Sequence, residues 1–366
     1  IVIAGVGNDP VTGQPNPPKI FYNTKALFSA LSVSADQATA STIATFKLGD
    51  KVVIDDPDIN NAPFFDQTTP FVAGSAVIKS AVSSVAAVSE SFLKSLFTIN
   101  QSTGEVSFDR LKFNFLDDGQ TATFMIQVTS ASGPDSGTVL VPVTVTGAND
   151  APTIVVGVAT IDARTVKEDV AVTTSGHIEA NGTITFQDVD LTDAHTASVA
   201  LTSTASPLPG FVAGTEIGQF TIDPVSESTT DTSNQGSVGW HFTLDDNDPK
   251  LQSLAEGQKI TQVYTITILD NNNVPVTQRV TITITGTNDA PVLSADASVH
   301  KALEAPDTTG APNSVVDVAT GTLAFTDVDL SDTHTTSAAL NYNGPTPSVV
   351  WSGGSYIGIP QATRDA

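Results

Sequence analysis

The chain of 366 residues carries 39 acidic against 15 basic side chains, a formal net charge of −24, and no cysteine. Such a field repels nucleic acid and anionic lipid and attracts cations. The missing cysteine excludes a disulfide framework and a thiolate metal site, and no apolar run approaches the roughly 18 residues of a transmembrane helix.

At the start, Ile1 has no basic stretch before it and no cleavage site after it, so no signal peptide is expected there. Lacking a leading Met and stopping partway through a repeat, the sequence reads as a piece of something longer. Further on, Ile78, Val82, Val85, Val88, Phe92 and Leu96 recur every three or four residues. That spacing predicts a helix, and a long loop with an irregular strand competes because Ser and Val are poor helix formers. Residues 124–128 read as a strand, 130–137 as a polar hairpin loop, and 139–146 as a strand with Val at its odd positions. The pattern then recurs. Shorter strands are expected at 183–186, 197–202, 217–222 and 237–243, and a clear strand at 263–268 precedes a loop at 270–275. The next strand, at 279–285, sets Val280, Ile282 and Ile284 on one face and Thr on the other. A further strand is expected at 322–325. Many short strands with Thr-rich faces and polar turns predict an antiparallel sandwich.

The block Gly-Thr-Ile-Thr-Phe-Gln-Asp-Val-Asp-Leu-Thr-Asp-Ala-His-Thr at 182–196 returns 139 positions later, at 321–335. Gly-Ala-Asn-Asp-Ala-Pro at 147–152 returns at 286–291 with the same displacement of 139. Two landmarks with one period predict tandem modules at 1–150, 151–289 and 290–366, the last incomplete. By the second module's pattern the third lacks its last two strands, so residues beyond about 340 are expected to be loosely held.

The candidate chemistry lies in Asp188, Asp190 and Asp193 and their copies Asp327, Asp329 and Asp332. At a strand end, residues i and i+2 point to one side, so the paired carboxylates converge and repel unless a positive charge sits between them. A hard cation suits such a set, since calcium takes six to eight oxygens in irregular geometry. Asn149, Asp150, Asn288 and Asp289 at the module junctions add oxygens, and Glu168 and Glu304 are further candidates. Asp55-Asp56-Pro57-Asp58 is a variant in the first module. Against this stands the reading that the aspartates cap turns by accepting backbone N–H groups. Recurrence at a fixed distance after each junction Asn-Asp favours the cation.

These blocks, with Phe242-Thr243-Leu244-Asp245-Asp246 and Leu254-Ala255-Glu256-Gly257-Gln258, resemble the VCBS repeat of large bacterial surface proteins, over 150–292 in full and 292–340 in part. The first module resembles a cadherin-like one. It carries Phe97-Thr98-Ile99-Asn100-Gln101-Ser102-Thr103-Gly104-Glu105-Val106 and the Leu-x-acid-Gly-Gln element at 116–120. Residues 341–366 depart from the VCBS pattern, and the first module's acidic motif is shifted. The resemblance implies an all-β array of tandem Ig-like or cadherin-like antiparallel sandwiches in RTX-type adhesins exported by type I secretion. It implies calcium near the junctions and a role in extension, adhesion and biofilms at the cell surface, without catalysis. The expected partners are calcium ions, neighbouring modules and host or matrix glycans and proteins.

The remaining motifs are weaker. His195 and His334 recur in Asp-x-His-Thr and are expected to be structural, since a closed zinc site wants more His or Cys. Trp240 and Trp351 are expected in the core, with stacking on sugars as the alternative. Gly5-Val6-Gly7-Asn8-Asp9 matches half of an RTX calcium nonapeptide, and one copy builds no β-roll. Asn181-Gly182-Thr183 reads as a glycosylation sequon, but the repeat already explains its Gly and Thr. No His-Glu-x-x-His, Gly-x-Ser-x-Gly or phosphate loop is present, so an enzyme is not expected. A glycan-binding module and a surface-layer or fibre subunit remain as alternatives to the calcium-stiffened spacer.

Overall fold

The computed structural model describes residues 2–3, 20–21, 27–30, 32–36, 43–55, 72–132, 135–206, 208, 211–230, 232–294 and 320–338. Among them nearly all regular structure is β, gathered mainly into two sandwiches with separate cores. The first sandwich uses β1 (Val33–Asp36), β2 (Ile43–Lys47), β3 (Val77–Ser83), β4 (Phe97–Ile99), β5 (Glu105–Asp109), β6 (Thr121–Ser132) and β7 (Asp135–Thr146). One sheet has the order β1-β7-β6-β3 and the other β2-β5-β4. The second sandwich follows with β8 (Thr153–Ile154), β9 (Ala163–Lys167), β10 (His177–Gln187), β11 (Thr196–Ala205), β12 (Gln219–Ile222), β13 (Gln235–Asp245), β14 (Lys259–Leu269) and β15 (Pro275–Thr285). Its sheets run β9-β15-β14-β11 and β8-β10-β13-β12. Apart from the added edge strand β8 the strand orders correspond, including one parallel pair in each: β1 beside β7, and β9 beside β15.

Alternation explains why these segments pair. In the first sandwich Ala122, Phe124, Ile126 and Val128 of β6 sit opposite Val145, Val143, Val141 and Val139 of β7, and all eight are buried. In the second, Ile260 and Tyr264 of β14 face Ile284 and Val280 of β15. Each fully buried aliphatic or aromatic side chain contributes about 1.5–3 kcal/mol, so a few such pairs fix the register. Trp240 is fully buried as the sequence leads one to expect, its indole N–H donating to the Ile161 carbonyl at 2.8 Å. Gly182 makes room for it, because a Cβ there would lie 2.4 Å from the indole. This packing accounts for the Gly of the Asn-Gly-Thr sequence. Gln262, the one buried glutamine among the described residues, is held by the Ile217 N–H and carbonyl.

The structure corrects several expectations. The apolar spacing over 78–96 is not one helix: β3 covers its start, and the only α-helix there is α1 (Glu90–Ser95), capped by Ser89. A bulge in the β3–β6 pairing, between Met125 and Ile126, inserts one residue and flips the inward parity. Ala76 and Ile78 point inward before it, Ala81 and Val85 after it, while Val82 and Phe92 of the expected helical face are exposed. Most of the polar stretch 130–137 is strand and not loop, since the ladder continues through Ser130 with Gly137 to Ser132 with Asp135; residues 133–134 lie outside the described ones. The loop at 270–274 does form, with Asn273 at φ 64 and Asp270 Oδ1 accepting the Val274 N–H at 2.8 Å. Beyond the second junction, β16 (Val292–Leu293) pairs with β17 (Phe325–Thr326) in the register of β8 with β10, 139 positions later. The strand expected at 322–325 is thus reduced to its end. Glu304, Trp351, residues 5–9, Asp56–Asp58 and everything beyond 338 lie outside the described residues.

Candidate metal centre

Each sandwich ends in a glycine that must be one. Gly147 follows β7, its N–H donating to the Gln120 carbonyl at 2.8 Å, and a Cβ would lie 2.2 Å from the Leu116 carbonyl oxygen. Gly286 follows β15 in the same way, 2.1 Å from the Leu254 oxygen. The chain then passes through Asn149-Asp150 or Asn288-Asp289 to the next unit.

At the first seam β10 ends at Gln187, and Asp188 to Asp193 fold into a tight turn. Asp188 Oδ1 accepts the Asp190 N–H at 3.0 Å, and the Asp193 N–H donates to the Asp190 carbonyl at 3.1 Å. The two aspartates of Asp-Val-Asp therefore lie in a turn and not at alternating strand positions, and their carboxylates do not pair as expected but fall in two separate groups that share Asp193. Asp190 Oδ2 accepts the Asp150 N–H at 2.7 Å and so ties the linker to this turn. To that extent the turn-capping reading holds. It does not account for the other oxygens: Asp190 Oδ1 and both oxygens of Asp193 are buried without a hydrogen-bond partner.

Two further carboxylates converge there. Asp117, from the loop before β6, and Asp270, from the loop after β14, are both buried. Oxygens of Asp117, Asp190 and Asp193 lie within 4.8 Å of one another, as do those of Asp188, Asp193 and Asp270, so Asp193 belongs to both groups. Asn149 Nδ2 donates to Asp270 Oδ2 at 3.2 Å, while Asn272 Nδ2 donates to Asp117 Oδ1 at 2.8 Å and to Asn149 Oδ1. Neutral amides thus hold carboxylates of both sandwiches in one cluster. A cavity of about 10 Å³ lies against Asp188, Asp190, Asp193 and His195, space for one particle the size of a water.

The electrostatics are unbalanced. Burial pushes Asp190 up to about 8, with repulsion from Asp188, Asp193 and Asp150 adding to it. Burial also raises Asp193, and neighbouring Asp117 raises it further. His195 is the one side chain able to carry a positive charge that is bonded to the group among the described residues: its Nε2 lies 3.2 Å from Asp188 Oδ2 and its Nδ1 2.7 Å from Glu227 Oε2. Burial favours its neutral form, but hydrogen bonds to Asp188 and Glu227 outweigh this and raise its pKa. With both nitrogens engaged by carboxylates, His195 orients Asp188 and has no free nitrogen for a metal, in keeping with its expected structural role.

The second seam repeats these contacts. The Asp289 N–H donates to Asp329 Oδ2 at 2.8 Å, Asp327 Oδ1 accepts the Asp329 N–H at 3.0 Å, and His334 Nε2 lies 2.7 Å from Asp327 Oδ2. The hydrogen bond from His334 lowers the pKa of Asp327. The Asp332 N–H donates to the Asp329 carbonyl, as Asp193 does to Asp190. Asp289 Oδ2 and Asp329 Oδ1 are buried without partners, and burial raises both groups. Asn288 is exposed, and its amide donates to the Asp289 carbonyl.

Glu168 belongs to this second seam, although it follows the first in sequence by few residues. Since β9 runs parallel to β15, it delivers Glu168 to the far end of the sandwich, where the Glu168 N–H reaches the Thr285 carbonyl. Fully buried, Glu168 accepts from Gln252 Nε2 at 2.6 Å and from the Thr287 N–H at 2.9 Å. Burial pushes it up to about 7, with Asp289, Asp169 and Asp329 contributing.

Sequence reasoning brought Asn149, Asp150, Asp188, Asp190 and Asp193 to one place and missed Asp117, Asp270 and Glu227. Two of these had a signal: Asp117 stands in the Leu-x-acid-Gly-Gln element, and Asp270 opens the Asp-Asn-Asn-Asn loop. Glu227 had none. The donor set is all hard oxygen, which suits calcium and not zinc.

No protein-family model matches the chain, and no curated protein matches it. Among solved structures, the chain is similar to mouse protocadherin-24 EC1-3, at 15% identity and TM-score 0.30, over 70% of this chain and 68% of that one. It is similar to the protocadherin gamma B7 extracellular cadherin domains 1-4 at 13% identity and TM-score 0.30, covering 86% and 64%. For the human desmocollin-1 ectodomain the values are 12% and 0.29, covering 81% and 48%. The chain thus spans less than two thirds of the last two.

Proposed function

We propose that this chain is a non-catalytic, calcium-rigidified extender of a secreted bacterial surface adhesin of the VCBS kind, with modules at 1–150, 151–289 and 290–366. The observation that carries this reading is Asp193: both its oxygens are buried and unpartnered, between Asp117 of one sandwich and Asp270 of the next. Buried charge without a partner is strongly unfavourable, and a divalent ion removes that penalty for several carboxylates at once. Asp117, Asp188, Asp190, Asp193 and Asp270 would hold calcium at the first seam, with Asn149 and Asp150 positioning them. Glu168, Asp289, Asp327, Asp329 and Asp332 would do so at the second, with Asn288 beside them and Glu304 as a further candidate from the sequence.

An ion bound by carboxylates of two modules restricts the joint between them. Extracellular modules bind calcium with dissociation constants of about 0.1–1 mM, so such seams fill outside the cell and empty in the cytosol. At ten times the dissociation constant, each ion adds roughly 1.4 kcal/mol to the stability of the docked state. Adhesion and biofilm formation are then the work of the longer protein, with this part setting reach. Among the described residues no helix is long and apolar enough to cross a membrane. The test is a calcium titration against chelator, followed by calorimetry and small-angle scattering. The reading requires a higher melting temperature and a narrower spread of inter-module orientations with calcium, and identical behaviour in both conditions would defeat it.

A further inference from the structure

We infer that Gln120 and Gln258 are metal-independent latches that set the orientation in which successive modules dock, calcium supplying the strength of the joint and the glutamine its direction. This rests on the reading of the seams as joints between modules.

Each glutamine sits at the end of a Leu-x-acid-Gly-Gln loop built alike in both sandwiches. Leu116 and Leu254 anchor the loops in the cores, and Gly119 and Gly257 turn the chain with φ of +77 and +78. The loop closes on itself, with the Gln120 N–H donating to the Asp117 carbonyl at 3.0 Å and the Gln258 N–H to that of Ala255 at 2.9 Å. Within each loop the glutamine Oε1 accepts a backbone N–H, from Asp117 in one and Ala255 in the other, both at 3.2 Å. That bond fixes the amide so that Nε2 faces outward. Gln120 Nε2 donates to Thr192 Oγ1, and Gln258 Nε2 donates to Ser331 Oγ at 2.7 Å. Both acceptors belong to the following unit, 139 positions apart, and each stands immediately before the aspartate at the end of its turn.

The two seams differ where the latch does not. The exit-loop carboxylate Asp117 has Ala255 as its counterpart, yet the glutamine bond is made at both. The contact therefore does not depend on the carboxylate at the second position of the loop, which only the first seam has. Ion attraction is a poor source of direction, because calcium accepts irregular geometry, whereas a hydrogen bond weakens steeply when its angle changes.

The test replaces the acceptor and leaves the loop intact. The chain has no cysteine, so spin labels can be placed at Lys112→Cys and Ala200→Cys on either side of the first seam, and the distance distribution read by pulsed electron resonance. In saturating calcium, Thr192→Val is expected to reduce the population of the docked orientation about fivefold, the effect of one lost hydrogen bond. Its calcium affinity should stay within about threefold of the parent, since no ion-facing oxygen is removed. Thr192→Ser, which keeps the hydroxyl and copies the second seam, should restore the parent distribution. An unchanged distribution in Thr192→Val overturns the proposal, as does equal broadening in both variants. Should the parent bind no calcium while Thr192→Val still broadens, the latch stands and the calcium reading falls.

Discussion

The sharpest consequence of the buried carboxylates is that removing one should stabilise the ion-free chain. Asp190 carries a pKa pushed up to about 8 from an ordinary 3.8, chiefly by burial. A carboxyl with a raised folded-state pKa contributes its full stability below the unfolded value and loses it as the pH rises through the folded one. At pH 7 the group stands about three units above its ordinary pKa, so keeping it in the fold costs up to about 4 kcal/mol at 1.36 kcal/mol per unit. Relaxation and water entry reduce this, and about 2 kcal/mol is a fair expectation. In Asp190→Asn the side-chain oxygen still accepts the Asp150 N–H, and the new amide points where an oxygen now has no partner. Calorimetry in chelator at pH 7 should show the variant melting about 5 °C or more above the parent. In calcium the order should reverse, because the variant has lost an ion-binding oxygen. If Asp190 is only a turn cap, Asp190→Asn will leave the chelated chain unchanged or weaker and will keep the full calcium increment. That pair of results would refute the reasoning.

Other outcomes follow from the same geometry. In chelator, the melting temperature of the parent should fall between about pH 5 and pH 8 as Glu168, at about 7, and Asp190 lose their protons; saturating calcium should flatten that slope. Asp193→Asn should weaken calcium binding at the first seam about tenfold or more, measured by isothermal titration, and leave the second seam unaffected. Trp240→Ala should destabilise the second sandwich by about 3–5 kcal/mol in denaturant unfolding, with or without calcium, because it empties a fully buried core site. Gly147→Ala should disturb the seam without touching a carboxylate, since its Cβ would overlap the Leu116 carbonyl; an unaltered calcium titration there would count against the linker geometry.

How much of this was readable in advance divides along physical lines. Strand positions, the Val and Ile faces of β7 and β15, the tandem organisation and the acidic residues of the turn were legible because they depend on local alternation and on a period within the chain itself. Between 78 and 96 the spacing misled because apolar Val82 and Phe92 are exposed, so residues that recur every three or four positions do not share one buried face. The polar composition of 130–137 misled because a backbone ladder can extend through polar residues as well as apolar ones. What only the tertiary structure decided is which carboxylates meet. Asp117 and Asp270 lie 153 positions apart, and no local rule joins them to Asp193. Glu168 reaches the far seam because β9 runs parallel to its neighbour, a long-range pairing chosen by the packing of the whole sandwich. The sequence by itself determined the repeating unit and its supply of oxygen atoms; the fold decided their assembly, because charge clusters form between chain segments only where buried strands carry their loops to a common end.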